Sequence, residues 1–384
     1  MIQIPKAATI SACEEALSLL DQPLKCSRVE IPTRLKYASG GGEISWLQFL
    51  ISWAQKYPGK TIRTFATASD DAQVEDFSRR LHGLVASLVG ARIEGRGGAP
   101  DLTESFRSRA LSRLDALQAS DPFGDARGPV LEIVAADHLS RRYPGYLYRM
   151  QRNGAPSLKS KSDFMVGARD LAHRVGFRAD ALSEPTQAYE AIGAFLEEVV
   201  KNTQVHALTD LAGDQLSLSF RILQVSRIDP DPGTMRAIAG DFAPLGKHFE
   251  QRVPAGRRSL VPFLSISVLD SGPGFAQRWT GRPLTDLNAD AELKATIECF
   301  SGGSSEKKDR FGEGLPLVRK MLKRQDGFLR LRTGRTSLYY DAADDNVDLT
   351  GSMPLKTWKR PDGETLAGVS GTLVTILIPM RVRG

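Results

Sequence analysis

Apolar positions in the first ninety residues alternate between strand-like and helix-like spacing. SRVEIPTRLKY (27–37) reads as a strand, and Gly40, Gly41 and Gly42 mark a turn after it. Ile44, Leu47, Leu50, Ile51 and Ala54 then recur three to four apart, which predicts a helix over 44–57. Pro58-Gly59 stops it. KTIRTFAT (60–67) predicts a second strand and 72–90 a second helix ending at Gly90. Strand–helix–strand–helix order predicts a small α/β unit. Further on, 91–101 reads as a Gly-rich loop, 105–119 as a helix, 121–129 as a joint dense in Gly and Pro, and 130–137 as a strand.

The second half has a different texture. Helices are predicted over 162–177 and 183–208, the latter with Ser183 as N-cap and Pro185 in its first turn. Strands follow at 216–226 and 259–270. After a long Gly- and charge-rich connection come a helix near 313–325 and strands at 328–333 and 371–379. Helices over a mixed or antiparallel sheet make a layered α/β sandwich. The division this predicts is an N-terminal α/β interaction domain (1–140), a basic linker (141–161) and a second domain (162–384).

Composition narrows the classes. The 384 residues suffice for two domains, and 41% apolar with 25% charged residues excludes collagen, mucin and bulk disorder. A net charge of +6 permits an anionic ligand without demanding nucleic acid. No run approaches the roughly 18 apolar residues of a membrane span, and Glu14 and Glu15 interrupt any signal-like core, so a cytoplasmic protein without membrane contact is expected. Cys13, Cys26 and Cys299 form no CxxC pair or zinc spacing and read as reduced, buried thiols. Pro58-Gly59-Lys60-Thr61 contains GKT, but Ala54 stands where a phosphate loop needs Gly. His138 reads as an ordinary structural histidine.

Four short pieces in the second half suit one chemistry. On the long predicted helix, Glu198, Asn202 and His206 fall four apart beside the apolar stripe. There an acid can orient water and an amide oxygen can hold a hard cation. Asp270-Ser271-Gly272-Pro273-Gly274 follows a buried-looking strand; a carboxylate there can accept from an exocyclic amino group, and glycines admit a close ligand. Gly312-Glu-Gly314-Leu315 opens a helix whose free N–H groups suit phosphate, with Lys307 and Lys308 just before it. Gly371-Thr372 opens the last strand with a hydroxyl.

In this order the pieces resemble the GHKL ATPases: gyrase B subunits, heat-shock chaperones, histidine kinases and MutL. The resemblance covers about 160–384 and implies a two-layer Bergerat-type α/β sandwich, helices over a mixed sheet, binding ATP and Mg²⁺ under a movable lid. It makes Asn202 the Mg²⁺ ligand and Glu198 the general base. Asp270 would read the adenine amino group, with Gly272 and Gly274 shaping the adenine wall and Thr372 beside an adenine-bound water. Gly312 and Gly314 would face the phosphates, with His206, Lys307, Lys308 and Leu315 among the nucleotide-binding residues. TIECFSGGSS (296–305) is similar to a kinase lid, with Phe300 in the aromatic place. Pro316 departs from the pattern, standing where kinases often carry Gly. The span 334–370 looks like an insertion with a hairpin. Only one strand follows Gly371, leaving no lysine-bearing second domain, so slow turnover is expected.

The leading expectation is an ATP-hydrolysing switch whose lid ordering is relayed to a protein partner through the N-terminal domain, which resembles the STAS-type module. A protein kinase acting on Ser or His of a partner is the second reading. A non-catalytic scaffold or DNA-associated protein, using the basic segment, is the third. A homodimer is compatible with each.

Overall fold

The computed structural model describes residues 1–67, 71–96, 101–229, 231–252, 261–300, 314–345 and 353–380. In its N-terminal part, strands β1 (Ile2–Gln3), β2 (Arg28–Ile31), β3 (Thr61–Thr64) and β4 (Arg92–Glu94) run parallel in that spatial order. Between and after them lie α1 (Ile10–Ser18), α2 (Gly42–Lys56), α3 (Asp71–Ser78), α4 (Leu81–Val89) and α5 (Thr103–Leu117). The helix expected over 72–90 is two helices. A Cβ on Gly83 would stand 1.8 Å from the Phe77 carbonyl oxygen, so α4 folds back against the end of α3. The loop expected over 91–101 contains β4. Its buried Ile93 follows an exposed arginine in a strand too short for a period to register.

The second part begins with β5 (Val130–Ala136), the hairpin β6 (Tyr148–Met150) and β7 (Pro156–Leu158), α6 (Lys161–Arg174) and α7 (Pro185–His206). Next come β8 (Phe220–Ile228), α8 (Pro232–Ala239), α9 (Ala243–Glu250), β9 (Phe263–Asp270), α10 (Phe275–Thr280) and α11 (Ala289–Phe300). α12 (Gly314–Arg324), β10 (Phe328–Gly334), β11 (Thr336–Asp341), β12 (Lys356–Thr357) and β13 (Val369–Pro379) complete it. The large sheet has seven strands in the order β12-β11-β10-β13-β9-β8-β5. The expected α/β class holds, and the sheet is antiparallel at every ladder, one of the two arrangements expected from the elements, where the resemblance implies a mixed sheet. β5, placed by the sequence within 1–140, pairs with β8 as an edge of this sheet. The linker expected at 141–161 carries the β6–β7 hairpin, and within 334–370, where an insertion with a hairpin is expected, β11 pairs antiparallel with the short β12.

Both faces of the large sheet are covered. Leu223, Val225, Ile266, Val268, Val374 and Ile376 pack with Phe164, Ile192, Phe195 and Leu322 of α6, α7 and α12. The alternate residues Phe220, Ile222, Leu269 and Leu373 pack with Trp46, Leu47, Leu50 and Trp53 of α2. That two-residue period assigns one face to each set of helices. Glu14 of α1 lies in this second interface, bonded to Arg332 of β10 at 2.8 and 3.0 Å and to Arg330 at 3.3 Å. His138 is structural: its Nδ1 accepts the Ser219 N–H at 3.1 Å, its ring meets Phe220, and burial holds its pKa below the usual value. No helix of the described residues is long and apolar enough to cross a membrane.

Candidate functional site

The site forms where α7 ends over the sheet. Ile192, Phe195, Leu196 and Val199 are the buried stripe that lays α7 on β9 and its neighbours. This leaves Asn202 and Thr203, on the last turns, beside the end of the buried strand β9, which delivers Asp270. The turn after Asp270 is pressed against the end of α7. A Cβ on Gly272 would lie 2.5 Å from the Ala207 Cα, so only glycine fits. Gly371 sits at φ +69°, and a Cβ there would lie 1.9 Å from the Asp270 carbonyl oxygen. These two close approaches bring β13 against β9 and set Thr372 next to Asp270.

The result is one cavity of about 630 Å³, counting space open to solvent. Val199, Asn202 and Thr203 of α7 form one wall. Val268, Asp270, Thr372 and Val374 of the sheet form the floor. Pro273, Phe275 and Arg278, with Cys299 of α11, form the other wall. This is a slot with apolar sides and a few convergent polar groups, the lining that small-molecule sites have. Arg278 closes it by hydrogen bonds to the Asp210 carbonyl oxygen at 2.9 Å and the Thr209 hydroxyl at 3.0 Å. The Phe275 and Phe300 rings pack 6.1 Å apart beside it.

Three polar groups define its chemistry. Burial pushes the Asp270 carboxyl up to about 7, opposed by the backbone N–H groups of Gly272, at 3.0 Å, and Thr372. The Thr372 hydroxyl stands 3.2 Å from that of Thr333. The Asn202 amide nitrogen is buried and has no hydrogen-bond partner among the described residues. A buried amide with nothing to bond in its own chain is costly unless a ligand meets it. Either end of that amide can face the cavity after a half-turn about its last bond.

Asn202, Asp270 and Thr372, expected to share a site, do line this cavity. Gly272 and Gly274 lie in the turn that supplies its wall, and Gly274 caps α10. Glu198 is one turn before Asn202 on α7 and half-buried, outside the lining of the cavity. Lys307, Lys308 and Gly312 lie outside the described residues, as do the side chains of His206, at the end of α7, and Leu315. Gly314 is the first residue of α12, with Pro316 in its first turn, where proline is tolerated.

Sequence reasoning missed Phe275 and Arg278, because 275–295 read as connection, and it placed Cys299 in a lid-like segment whose residues 296–300 are the end of α11. Leu293, Ile297 and Phe300 at helical spacing were the available signal for α11. The six residues of α10 give none. Among the described residues no group of three or more His, Cys, Asp or Glu could hold a metal. Mg²⁺ held by one protein oxygen plus ligand phosphates and water needs no such group. No protein-family model matches the chain, and no curated protein and no solved structure matches it.

Proposed function

We propose that this cavity binds the purine of ATP and that the chain is an ATP-hydrolysing switch with a Bergerat-type nucleotide site, as its motifs suggest. What supports the reading most is the convergence of Asn202, Asp270 and Thr372, from three distant stretches of sequence, on one slot. The apolar walls suit a flat heterocycle. Asp270 offers an acceptor at the floor for the exocyclic amino group of adenine. Guanine carries a carbonyl oxygen at that position and would set acceptor against acceptor, so ATP is selected over GTP. Asn202 would hold Mg²⁺ through its amide oxygen, and the ion would supply neutralisation of phosphate charge. Glu198, one turn back along α7, orients a water and takes its proton during attack on the terminal phosphate.

Glu198→Ala separates binding from turnover. ATP affinity should stay within about threefold, because the side chain is outside the cavity lining. Phosphate release should fall by about 10²- to 10⁴-fold, the range for removal of a general base. The pair of measurements is a calorimetric titration with ATP and Mg²⁺ and a steady-state phosphate assay. Undiminished hydrolysis would remove Glu198 from the mechanism.

A further inference from the structure

α2 carries a polar row on a helix that is otherwise buried among apolar residues. Gln48, Ser52 and Gln55 are spaced i, i+4 and i+7 and so share one side of it. Gln48 and Ser52 are 1% and 4% exposed, too buried to be answered by water. Polar groups are retained in such a place only if they are matched.

Their partners are the backbone segments that hold Asp270 and Thr372. Gln55 Nε2 donates to the carbonyl of Ser271, the residue after Asp270, at 3.0 Å, and to that of Leu218 at 2.9 Å. Gln48 Nε2 donates to the carbonyls of Ser370 at 3.2 Å and Arg332 at 3.3 Å. The Ser370 N–H donates to Ser52 Oγ at 2.9 Å, and the Ser52 hydroxyl to the Gln48 carbonyl at 2.7 Å. The Gly371 N–H donates to the Gly272 carbonyl, which fastens the two segments to each other. α2 thus grips, from behind the sheet, the two strand ends whose side chains form the floor of the cavity in front.

We infer that Gln48, Ser52 and Gln55 of the N-terminal unit position Asp270 and Thr372, so that this unit sets the affinity of the cavity for its purine. The inference rests on the nucleotide reading above. A site holds its ligand well only when its contacts keep within about 0.5 Å of the productive geometry. Gly371 leaves no slack, since any side chain there would collide with Asp270. A displacement at Ser271 or Ser370 therefore passes directly into Asp270 and Thr372. Coupling of this kind is reciprocal: an event that shifts α2 changes nucleotide affinity by the same factor that nucleotide changes the event.

The test uses the full chain, with ADP and with inorganic tripolyphosphate, by calorimetry. Ser52→Ala and Gln55→Leu should each weaken ADP binding about tenfold, and tripolyphosphate binding should stay as in the wild type, because only the purine end is displaced. Ile51→Val trims a buried neighbour on α2 while leaving every hydrogen bond of the row in place, and it should leave ADP affinity within about twofold. ADP affinity unchanged in Ser52→Ala and Gln55→Leu overturns the positioning role while the nucleotide reading stands. An equal loss in Ile51→Val overturns it too, since the effect would then be general loosening of the core. A wild-type chain that binds ADP no better than tripolyphosphate overturns the purine reading and this inference with it.

Discussion

Asp270→Asn should abolish purine recognition while the fold survives. On the proposed reading the carboxylate is the acceptor at the cavity floor, and a hydrogen bond to a charged group contributes about 1.5–3 kcal/mol. The substitution also turns an N–H donor toward the adenine amino group. The expected loss is at least about a hundredfold in ATP affinity, which corresponds to about 2.7 kcal/mol. The fold should hold because the Asp270 contact to the Gly272 N–H at 3.0 Å needs only an oxygen, which asparagine keeps. The pH dependence gives a second reading of the same residue. Burial raises this carboxyl from 3.8 to about 7, so its ionised form is disfavoured in the folded, ligand-free chain. An acid whose pKa is raised on folding subtracts stability as pH climbs from its unfolded value through its folded one. The wild type should therefore lose stability between about pH 4 and pH 7 relative to Asp270→Asn. Because the ionised form is the better acceptor, purine binding should release a proton and strengthen through pH 7 in the wild type. In Asp270→Asn only the titration of the phosphate itself should remain. Calorimetry in buffers of different ionisation enthalpy measures that proton. Undiminished ATP affinity in Asp270→Asn would show that the floor carboxylate does not read the base.

The cavity was legible in the sequence because its residues carry local signals. Asp270 ends a run of apolar residues, and the glycines at 272, 274 and 371 mark places where the backbone is crowded. Asn202 could be placed because the stripe of α7 has a clear helical period. What covers the back of the sheet was not legible. The period of α2 gives a helix, yet twelve of its fifteen residues are buried, so no solvent face tells the reader which side meets what. Gln48 and Ser52 look like surface positions of an amphipathic helix, and Glu14 read only as an interruption of an apolar run. Arg330 and Arg332 alternate with Leu329 and Leu331 as the wet side of a two-faced strand would. All of these are turned inward by partners hundreds of residues away, a relation that spacing along the chain cannot encode. The small elements were lost for a different reason. β4 and α10 are shorter than the window in which a period can be counted.

Glu14→Ala should be the most destabilising single change at the interface between the two parts of the chain. Arg330 and Arg332 are 1% and 0% exposed, and Glu14 is the carboxylate bonded to both. Burial pushes the Arg330 guanidinium down to about 10, with Glu14 as the main charge opposing that shift. Removing one partner of a buried ion pair leaves the other charge uncompensated, at about 3–5 kcal/mol. The two arginines should not suffer alike. Arg332 keeps carbonyl partners at Gly334 and, at 2.7 Å, Ala367, whereas Arg330 is left with the Ser45 hydroxyl at 2.8 Å. The stranded charge is thus mainly that of Arg330. Adding Arg330→Met to Glu14→Ala should recover part of the loss, because an apolar side chain in that place needs no counter-charge. Arg332→Met should recover less, since it strands the two carbonyls that Arg332 now satisfies. Denaturant unfolding of the four proteins gives these differences directly. A Glu14→Ala chain within about 1 kcal/mol of the wild type would mean that water or a rearranged neighbour replaces the carboxylate. The interface would then be held by the apolar packing and the hydrogen bonds of α2.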